Sequence, residues 1–469
     1  MHNRKQFIKN IALTGAALLS SKLMLYANEF GYLTNNSDAN LLLFEKTDAE
    51  YEKYRKGFNL RIEKFPKVIA ICKNNNGVVK ALQIAKERKL NVTIKSGGHC
   101  MEGFSSNDDG MVINLSFMNS LEFVDKSTIK VQPAITLKQI YETLIPKGFY
   151  LPGGSCQSVA IGGLTLGGGY GLLSRTFGLT CDSLIEATMV TANGSIINTK
   201  NDKDLLWLLK GGGNANFGVV TEMKFKVYKA PKTMQNFKFR NQHISITDAL
   251  DLCKNWFDQV KTLPNSCFSA FIFNGNTVYI MLTNVDINNA AAIKFINYFK
   301  SISTKATQTV RVPLAKALSY YYAEDHAIHF KNASAGLYKS YTDIEKILPS
   351  VFEKIKSKSG ILYQVNTLGG NIQNKEFEAK SCFPYRDFLY FSELQAYWDE
   401  PKQAKHFLES FEAIQKDFAD GGINNHYRNY PDINFKNWQQ SYYGKNLDKL
   451  QTAKRKYDSN NLFAGTQTL

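Results

Sequence analysis

The run GGSCQSVAIGGLTLGGGYG at residues 153–171, together with KSGGH at residues 95–99, decides the fold of this chain. Glycines at this density allow positive φ angles and let the backbone approach a bulky ligand closely. The backbone N–H groups freed by such turns are donors for phosphate oxygens. The two runs also carry a reactive imidazole and a thiol, at His99 and Cys156. We therefore expect a large phosphate-bearing cofactor, held by the loops and attached through these two side chains.

Length and charge limit the classes of protein to consider. The chain has 469 residues, more than one hydrophobic core normally holds, so two packed regions are expected. The formal net charge is +16, but the lysines are scattered and no basic block alternates with aromatic residues. This pattern argues against a nucleic-acid partner and indicates a cationic, solvated surface. Such a surface would favour proximity to an anionic envelope or polysaccharide.

The first residues have the pattern of an export signal. A basic start with Arg4 and Lys5 precedes the short apolar stretch 11–20, so residues 1–27 are predicted to be a signal. The stretch is too short for a stop-transfer helix, and no later segment reads as a membrane span. Lys5 stands where a twin-arginine motif has its second arginine, which leaves twin-arginine and general secretion both open. Cleavage near Ala27 and an uncleaved anchor also stay open, and we expect a periplasmic or extracellular protein.

The cysteines and histidines give no sign of a metal site. The seven cysteines include no Cys-x-x-Cys pair, which argues against zinc. If Cys156 serves the cofactor, six cysteines remain, and an oxidising compartment could pair some of them. His326 and His329 lie three residues apart, but no acidic or sulfur ligand motif accompanies them.

Periodicity divides the chain into regions. After a polar lead-in at 28–61, residues 62–229 alternate between strands and helices, up to a boundary at Ala230-Pro231-Lys232. Residues 230–424 form a second region, and residues 425–469, rich in Tyr and Asn, form the last. Strands are predicted at 67–72, 91–95, 111–115, 129–133, 218–227, 278–282, 360–370 and 388–398. Helices are predicted at 76–88, 137–145 (capped by Thr136), 248–260 (capped by Thr247) and 447–456.

Three separated motifs in this order resemble the berberine-bridge-enzyme-like oxidases of the vanillyl-alcohol-oxidase superfamily, which include glucooligosaccharide and hexose oxidases. SGGH at 96–99 matches the histidyl-linkage motif, GSC at 154–156 with the following glycines matches the cysteinyl-linkage motif, and YRNYPD at 427–432 opens the C-terminal block. The resemblance implies an α+β protein. Its parts would be a PCMH-type, two-subdomain FAD-binding domain, an α/β substrate domain with an antiparallel sheet over the flavin, and a C-terminal segment that returns to the FAD domain.

The resemblance also implies a bicovalent FAD, with His99 bonded to the flavin 8α carbon and Cys156 to C6. Both side chains are nucleophiles, which makes this chemistry reasonable. Ile161 takes a position that governs oxygen access in the family, although its shape does not separate an oxidase from a dehydrogenase. The other implied cofactor contacts are Ser96, Gly97, Gly98, Gly103, Phe104, Ser158, Val159, Gly162, Gly163, Asp182, Gly213, Phe217, Gly218, Val220, Tyr427 and Asn429.

Proton removal from the substrate hydroxyl is assigned, by the same resemblance, to Tyr430 with help from Glu393. A free tyrosine has a pKa near 10, so it needs a partner. An ionised Glu393 would raise that pKa by repulsion. It helps only by accepting a hydrogen bond from the phenol, so the two residues should titrate as a coupled pair.

Four polar strand residues are expected to line the substrate pocket: Tyr363, Gln364, Asn366 and Gln395. The sequence is thus interpreted as an exported, monomeric FAD-dependent oxidase of a sugar CH–OH group, with O2 as acceptor and H2O2 as product. A dehydrogenase of the same fold, using a quinone or protein acceptor or acting on a phenolic or alkaloid-like substrate, stays open. So does a binding module that retains flavin without turnover.

Overall fold

The computed structural model describes residues 38–322, 326–358 and 360–469. The export signal predicted at residues 1–27 lies outside the described residues. Within the described ranges, we found no helix with the length and apolar character needed to cross a bilayer.

The first sheet and its helices comprise β1 (Leu41–Phe44), α1 (Tyr51–Arg55), β2 (Val68–Cys72), α2 (Asn75–Glu87), β3 (Val92–Lys95) and β4 (Met111–Asn114). The strand order is β1-β2-β4-β3, and β2, β4 and β3 run parallel. The continuous apolar run of β2 is buried along its whole length, as is typical of a strand covered on both faces. Strand β1 pairs antiparallel with β2, so residues 41–44 of the predicted lead-in at 28–61 are a strand of this sheet.

The second sheet completes the glycine-rich half of the molecule. Its strands are all antiparallel, in the order β5-β6-β10-β8-β9, and a short ribbon joins β7 to β11. Helix α3 begins at a capping box in which Thr136 and Gln139 bond reciprocally, as predicted for Thr136. The elements are β5 (Leu121–Phe123), β6 (Thr128–Val131), α3 (Leu137–Leu144), β7 (Phe149–Tyr150), α4 (Ile161–Leu166), α5 (Ser174–Phe177), β8 (Leu184–Thr191), β9 (Ile196–Asn198), α6 (Lys203–Leu209), β10 (Gly218–Lys226) and β11 (Tyr228–Lys229).

The third sheet has seven antiparallel strands in the order β15-β12-β14-β13-β17-β18-β16, and we call it the substrate sheet. Helices α7, α8, α10 and α12 cover one face through a large apolar core. The other face is turned toward the glycine-rich half. The elements are β12 (Thr233–Gln242), α7 (Ile246–Val260), β13 (Cys267–Asn274), β14 (Thr277–Asn284), α8 (Ala290–Ile302), β15 (Lys305–Pro313), α9 (Leu314–Ser319), β16 (His329–Tyr338), α10 (Leu348–Lys356), β17 (Ile361–Thr367), α11 (Lys375–Ala379), β18 (Tyr390–Trp398) and α12 (Ala404–Asp420).

Helix α7 begins earlier than the sequence indicated. The side chain of Ser245 accepts the N–H of Asp248 at 3.0 Å, so Ser245 is the N-cap and Thr247 lies within the helix. Both residues are good caps, and only the extended backbone of Ser245 decides between them.

The last residues pack against the glycine-rich half. They form α13 (Trp438–Tyr443) and α14 (Leu447–Tyr457), whose Tyr443 and Leu450 are buried in the core of the second sheet. Phe463 is buried in the core of the first sheet. This packing holds residues 427–432, just before α13, between the substrate sheet and the glycine loops.

All seven cysteines are free thiols. The pairing that an oxidising compartment could produce is therefore absent from the structure. Five of them are buried, and burial raises the pKa of the Cys267 thiol to about 12. Buried thiols of this kind are inert packing groups.

Candidate active site

A cavity of about 460 Å³ lies between the glycine loops, the open face of the substrate sheet and residues 427–431. This volume is in the range of small-molecule and cofactor sites. The cavity brings together most residues that the sequence singled out for the cofactor, the proton transfer and the substrate. Those that line it are Ser96, Gly97, Gly98, His99, Phe104, Cys156, Val159, Gly163, Gln364, Asn366, Glu393, Gln395, Tyr427, Asn429 and Tyr430.

His99 is delivered to the cavity by a tight turn at the end of β3. Gly98 has φ +72°, a left-handed conformation that a side chain would strain. The ring of Phe58 stacks on the imidazole with 4.1 Å between centroids, so a residue of the predicted lead-in supplies one wall of the site. Burial lowers the pKa of His99 to about 4. The imidazole is therefore neutral at ordinary pH and keeps a lone pair available.

Cys156 lies in the loop before α4, on the same cavity as His99. Its Sγ is 3.7 Å from Oγ of Ser158. The hydroxyl of Tyr141 donates to the carbonyl of Gly154 at 2.9 Å and fixes the loop just before the thiol. A Cβ on Gly97 would lie 2.7 Å from Cβ of Ala160, so the His99 and Cys156 loops approach each other as only glycine permits.

Two buried acceptors in the cavity have no partner among the described residues. They are Oδ1 of Asn214 and Oδ1 of Asn332. Buried polar atoms are normally hydrogen-bonded, so this pair calls for a ligand with donor groups. FAD carries both N–H and O–H donors, and the neutral His99 and the thiol of Cys156 face the same space. The residues present therefore fit FAD.

Glu393 is a buried carboxylate on β18. Nδ2 of Asn332 donates to its Oε2 at 3.0 Å, and Nδ2 of Asn366 donates to its Oε1 at 3.2 Å. Burial raises the pKa of Glu393, while hydrogen bonds from Asn332, Asn366 and Gln395 act against that rise. Gln364 donates in turn to Oδ1 of Asn366 at 2.8 Å, which orients that amide toward the carboxylate.

Tyr430 stacks on Phe391 with 5.3 Å between ring centroids. Burial, and then the charge of Glu393, raise its pKa well above the ordinary value. Within the described residues, no hydrogen bond joins the Tyr430 hydroxyl to Glu393, whose oxygens receive amide N–H groups instead. The expected direct bond between phenol and carboxylate is therefore wrong for this structure, although both groups line one cavity.

Residues 427–429 fasten the C-terminal segment to the glycine loop. The hydroxyl of Tyr427 accepts the N–H groups of Gly169 and Tyr170, at 2.9 and 3.2 Å. Nδ2 of Asn429 donates to the carbonyl of Leu164 at 2.9 Å. These bonds fix the backbone just before Tyr430 and so position its side chain at the cavity.

Tyr363 was expected in the substrate pocket, and the structure places it on the opposite face of the substrate sheet. It is fully buried in the helix-side core, and its hydroxyl donates to that of Tyr338 at 3.4 Å. Side chains alternate along β17, so Gln364 and Asn366 face the cavity and Tyr363 faces the helices.

Asp182 was expected to meet the adenosine, but its carboxylate binds the guanidinium of Arg386 at 2.6 and 2.8 Å. Both side chains are buried, so this ion pair ties the glycine-rich half to the substrate domain. Other expected cofactor residues are not among those that line the cavity, and of these Ile161, Phe217 and Val220 are buried in the core of the second sheet. The remaining ones are Gly103, Ser158, Gly162, Gly213 and Gly218.

A buried charge cluster went unrecognised in the sequence. Nζ of Lys331 contacts Glu102 and lies 2.7 Å from Oδ1 of Asp432, while Arg61 binds the other oxygen of Glu102 at 2.8 Å. The cluster holds two cations and two anions, so its charges balance. The cluster links three segments that carry site residues: Glu102 follows His99, Lys331 precedes Asn332, and Asp432 follows Tyr430. No local pattern could have shown it, because the four residues are far apart in sequence.

Comparison with known sequences identifies two parts of the chain. Residues 66–200 match the family model of an FAD binding domain, and residues 426–468 match the model described as berberine and berberine like. The uncharacterized FAD-linked oxidoreductase YgaK of Bacillus subtilis is 27% identical, over 90% of this chain and 95% of its own. Glucooligosaccharide oxidase of Sarocladium strictum is 27% identical, over 90% of each protein.

Comparison with solved structures supports the fold. BBE-like 1 of Physcomitrella patens superposes with a TM-score of 0.83, over 91% of this chain and 96% of its own, at 22% identity. The predicted α+β architecture, with its FAD-binding and substrate domains, is confirmed at the level of the fold. The resemblance seen in the sequence is therefore confirmed: the two family models and the full-length relatives identify an FAD-linked oxidoreductase similar to the berberine-bridge-enzyme-like proteins.

Proposed function

We propose that this protein oxidises a CH–OH group of a sugar or oligosaccharide, converting a hemiacetal to a lactone, with O2 as acceptor. One observation carries the proposal: Glu393, held by Asn332 and Asn366, lies in the cavity that His99 and Cys156 also line. The 27% identity to a glucooligosaccharide oxidase supports the substrate class.

We assign the attachment of FAD to His99 and Cys156. A neutral imidazole and a partly exposed thiol face one cavity, and each is a nucleophile. FAD bound there would accept a hydride from the substrate carbon and pass two electrons to O2, giving H2O2. The chain itself has to position the hydroxyl and receive its proton.

Glu393 is the acceptor of that proton in our account. Its carboxylate is buried away from water, and this burial raises its pKa above the ordinary value of a glutamate. A base becomes more effective as its pKa approaches the working pH. The amide donors of Asn332 and Asn366 hold the carboxylate in one orientation, so that its remaining lone pairs are directed to the cavity.

Tyr430 stays protonated in this account, because burial and the charge of Glu393 both disfavour the phenolate. Its hydroxyl then serves as a hydrogen-bonding partner that orients the substrate oxygen. This reverses the order of roles expected from the sequence, where the tyrosine was the base. Gln364 and Gln395 add amide groups at the cavity wall for the hydroxyls of a sugar.

Export belongs to the same proposal and rests on the pattern of residues 1–27. A monomer outside the cytoplasm would meet oligosaccharides and O2 together.

The test is a peroxide assay under air with a panel of monosaccharides, oligosaccharides and simple phenols. Steady H2O2 formation with an oligosaccharide is the expected result. If turnover requires a quinone or dye acceptor, the protein is a dehydrogenase and not an oxidase. If only phenols are oxidised, the proposed sugar substrate is wrong. Absence of turnover with every donor and acceptor would leave a flavin-retaining binding module.

A further inference from the structure

The open face of the substrate sheet continues beyond the cavity. Two rows of directly paired side chains cross it from β18 through β17, β13 and β14 to β12. The first row is Glu393, Gln364, Ile272, Tyr279 and Arg240. The second row is Phe391, Asn366, Ala270, Met281 and Lys238. Both rows start in the cavity, and both end on a cation.

The far end of this face holds a compact group of three side chains. Nζ of Lys238 lies 4.5 Å from the ring centroid of Tyr279, and Cζ of Arg240 lies 5.7 Å from it. Cation–π contacts of this kind hold a cation in place without neutralising it. Neighbouring strands are about 4.8 Å apart, so Tyr279 is about 14 Å and Arg240 about 19 Å from Glu393 along the sheet.

These two cations have no counter-ion in the described part of the chain. Neither side chain forms an ion pair there, and Nε of Arg240 is buried without a hydrogen-bond partner. Burial and the charge of Arg240 lower the pKa of Lys238 to about 8. Two half-buried cations side by side are costly to keep charged, and a bound carboxylate would remove that cost.

We propose that Lys238, Arg240 and Tyr279 form a distal subsite for a carboxylate-bearing sugar unit. The substrate would be an acidic oligosaccharide whose oxidised end lies at Glu393, so the inference rests on the proposed function and narrows its substrate class. The guanidinium of Arg240 offers a planar fork that matches a carboxylate, and Lys238 adds a second charge. The net charge of +16 favours the approach of an anionic polysaccharide.

The experiment compares two tetrasaccharides on the flavin-loaded protein. They share a neutral reducing end, and one carries a uronic acid at the far end. The wild-type protein should have a KM about tenfold lower for the acidic substrate, the effect of a charge-assisted hydrogen bond. The double variant Lys238→Gln, Arg240→Gln should lose this preference, with kcat within about twofold and the neutral KM unchanged. Added salt should weaken the preference, since the contacts are ionic.

The matched control is Lys294→Gln, Lys300→Gln, which removes the same charge from α8 on the opposite face of the sheet. It should keep the preference for the acidic substrate. Equal KM values in the wild type, or an equal loss in the control, would overturn the subsite.

Calorimetric binding separates this inference from the proposed function. If neither tetrasaccharide is oxidised, the proposed function fails, but binding still decides the subsite. Tighter binding of the acidic sugar that disappears in the Lys238→Gln, Arg240→Gln variant supports it. Equal binding of both sugars refutes it.

Discussion

Asn332 on β16 donates a hydrogen bond of 3.0 Å to Oε2 of Glu393 on β18, beside the cavity. The preceding residue on β16, Lys331, points to the other side and enters the buried charge cluster with Glu102 and Asp432. The orientation of the carboxylate is therefore coupled through one strand to the chain after His99 and the chain after Tyr430. Glu393, the proposed proton acceptor, and His99, the proposed flavin attachment point, are thus linked to one buried charge cluster.

Replacing Glu393 by glutamine should lower kcat by about 10²–10⁴-fold, the usual contribution of a positioned base. The bound flavin and its visible spectrum should be unchanged. Tyr363→Phe, on the neighbouring strand but facing the helices, is the matched control and should keep full activity. If Tyr430→Phe lost more activity than Glu393→Gln, the tyrosine would be the base and our assignment would be wrong.

The pH dependence of kcat/KM should carry the signature of Glu393. Burial raises the pKa of this carboxyl, and only its ionised form accepts a proton. Activity should therefore be present above that raised pKa and fall as the pH drops through it. Asn366→Leu removes a donor to Oε1, so it should raise the pKa further and move the acid limb to higher pH. An acid limb that stays in place in this variant would show that another group titrates.

His99 and Cys156 should each form one bond to the flavin. After denaturation, yellow colour and flavin fluorescence should stay with the wild-type polypeptide on a gel. His99→Ala and Cys156→Ala should each retain flavin through the remaining bond, and the double variant should release all of it. Cys100→Ala removes a thiol on the same cavity and serves as the control. Release of flavin from the denatured wild type would contradict the attachment.

Lys331→Met should destabilise the protein by about 3–5 kcal/mol, because it leaves the carboxylates of Glu102 and Asp432 buried without their shared cation. Lys416→Met breaks an exposed pair with Asp420 and should cost less than about 1 kcal/mol. Chemical denaturation of both variants measures the difference. Equal losses would mean that the buried cluster carries no special energy.

The sequence predicted the parts of the site that depend on local pattern. His99 and Cys156 lie in glycine runs whose turns are encoded within a few residues, so their convergence could be expected. Tyr363 was placed on the wrong face of the sheet. Neighbouring residues of a strand face opposite sides, and because Tyr363 and Gln364 are both polar, the sequence does not show which of them faces the cavity. Only the packing of the helix-side core decides which of them faces the cavity.

Ion pairs between residues that are far apart in the chain could not be predicted from the sequence. Asp182 binds Arg386, which lies more than two hundred positions away in the chain. Nothing near Asp182 in the sequence indicated this partner, so its carboxylate was predicted to be available to the cofactor. The Lys331 cluster joins four distant segments in the same way. Such contacts depend on how the domains dock, and no local propensity encodes that arrangement.

The most direct test of the account is anaerobic mixing of the purified flavoprotein with neutral and acidic oligosaccharides. We predict that at least one of them removes the visible flavin absorption. Admission of air should restore the absorption with formation of H2O2, and Glu393→Gln should slow the bleaching by about 10²-fold or more. Persistence of the yellow colour with every oligosaccharide would contradict the proposed function.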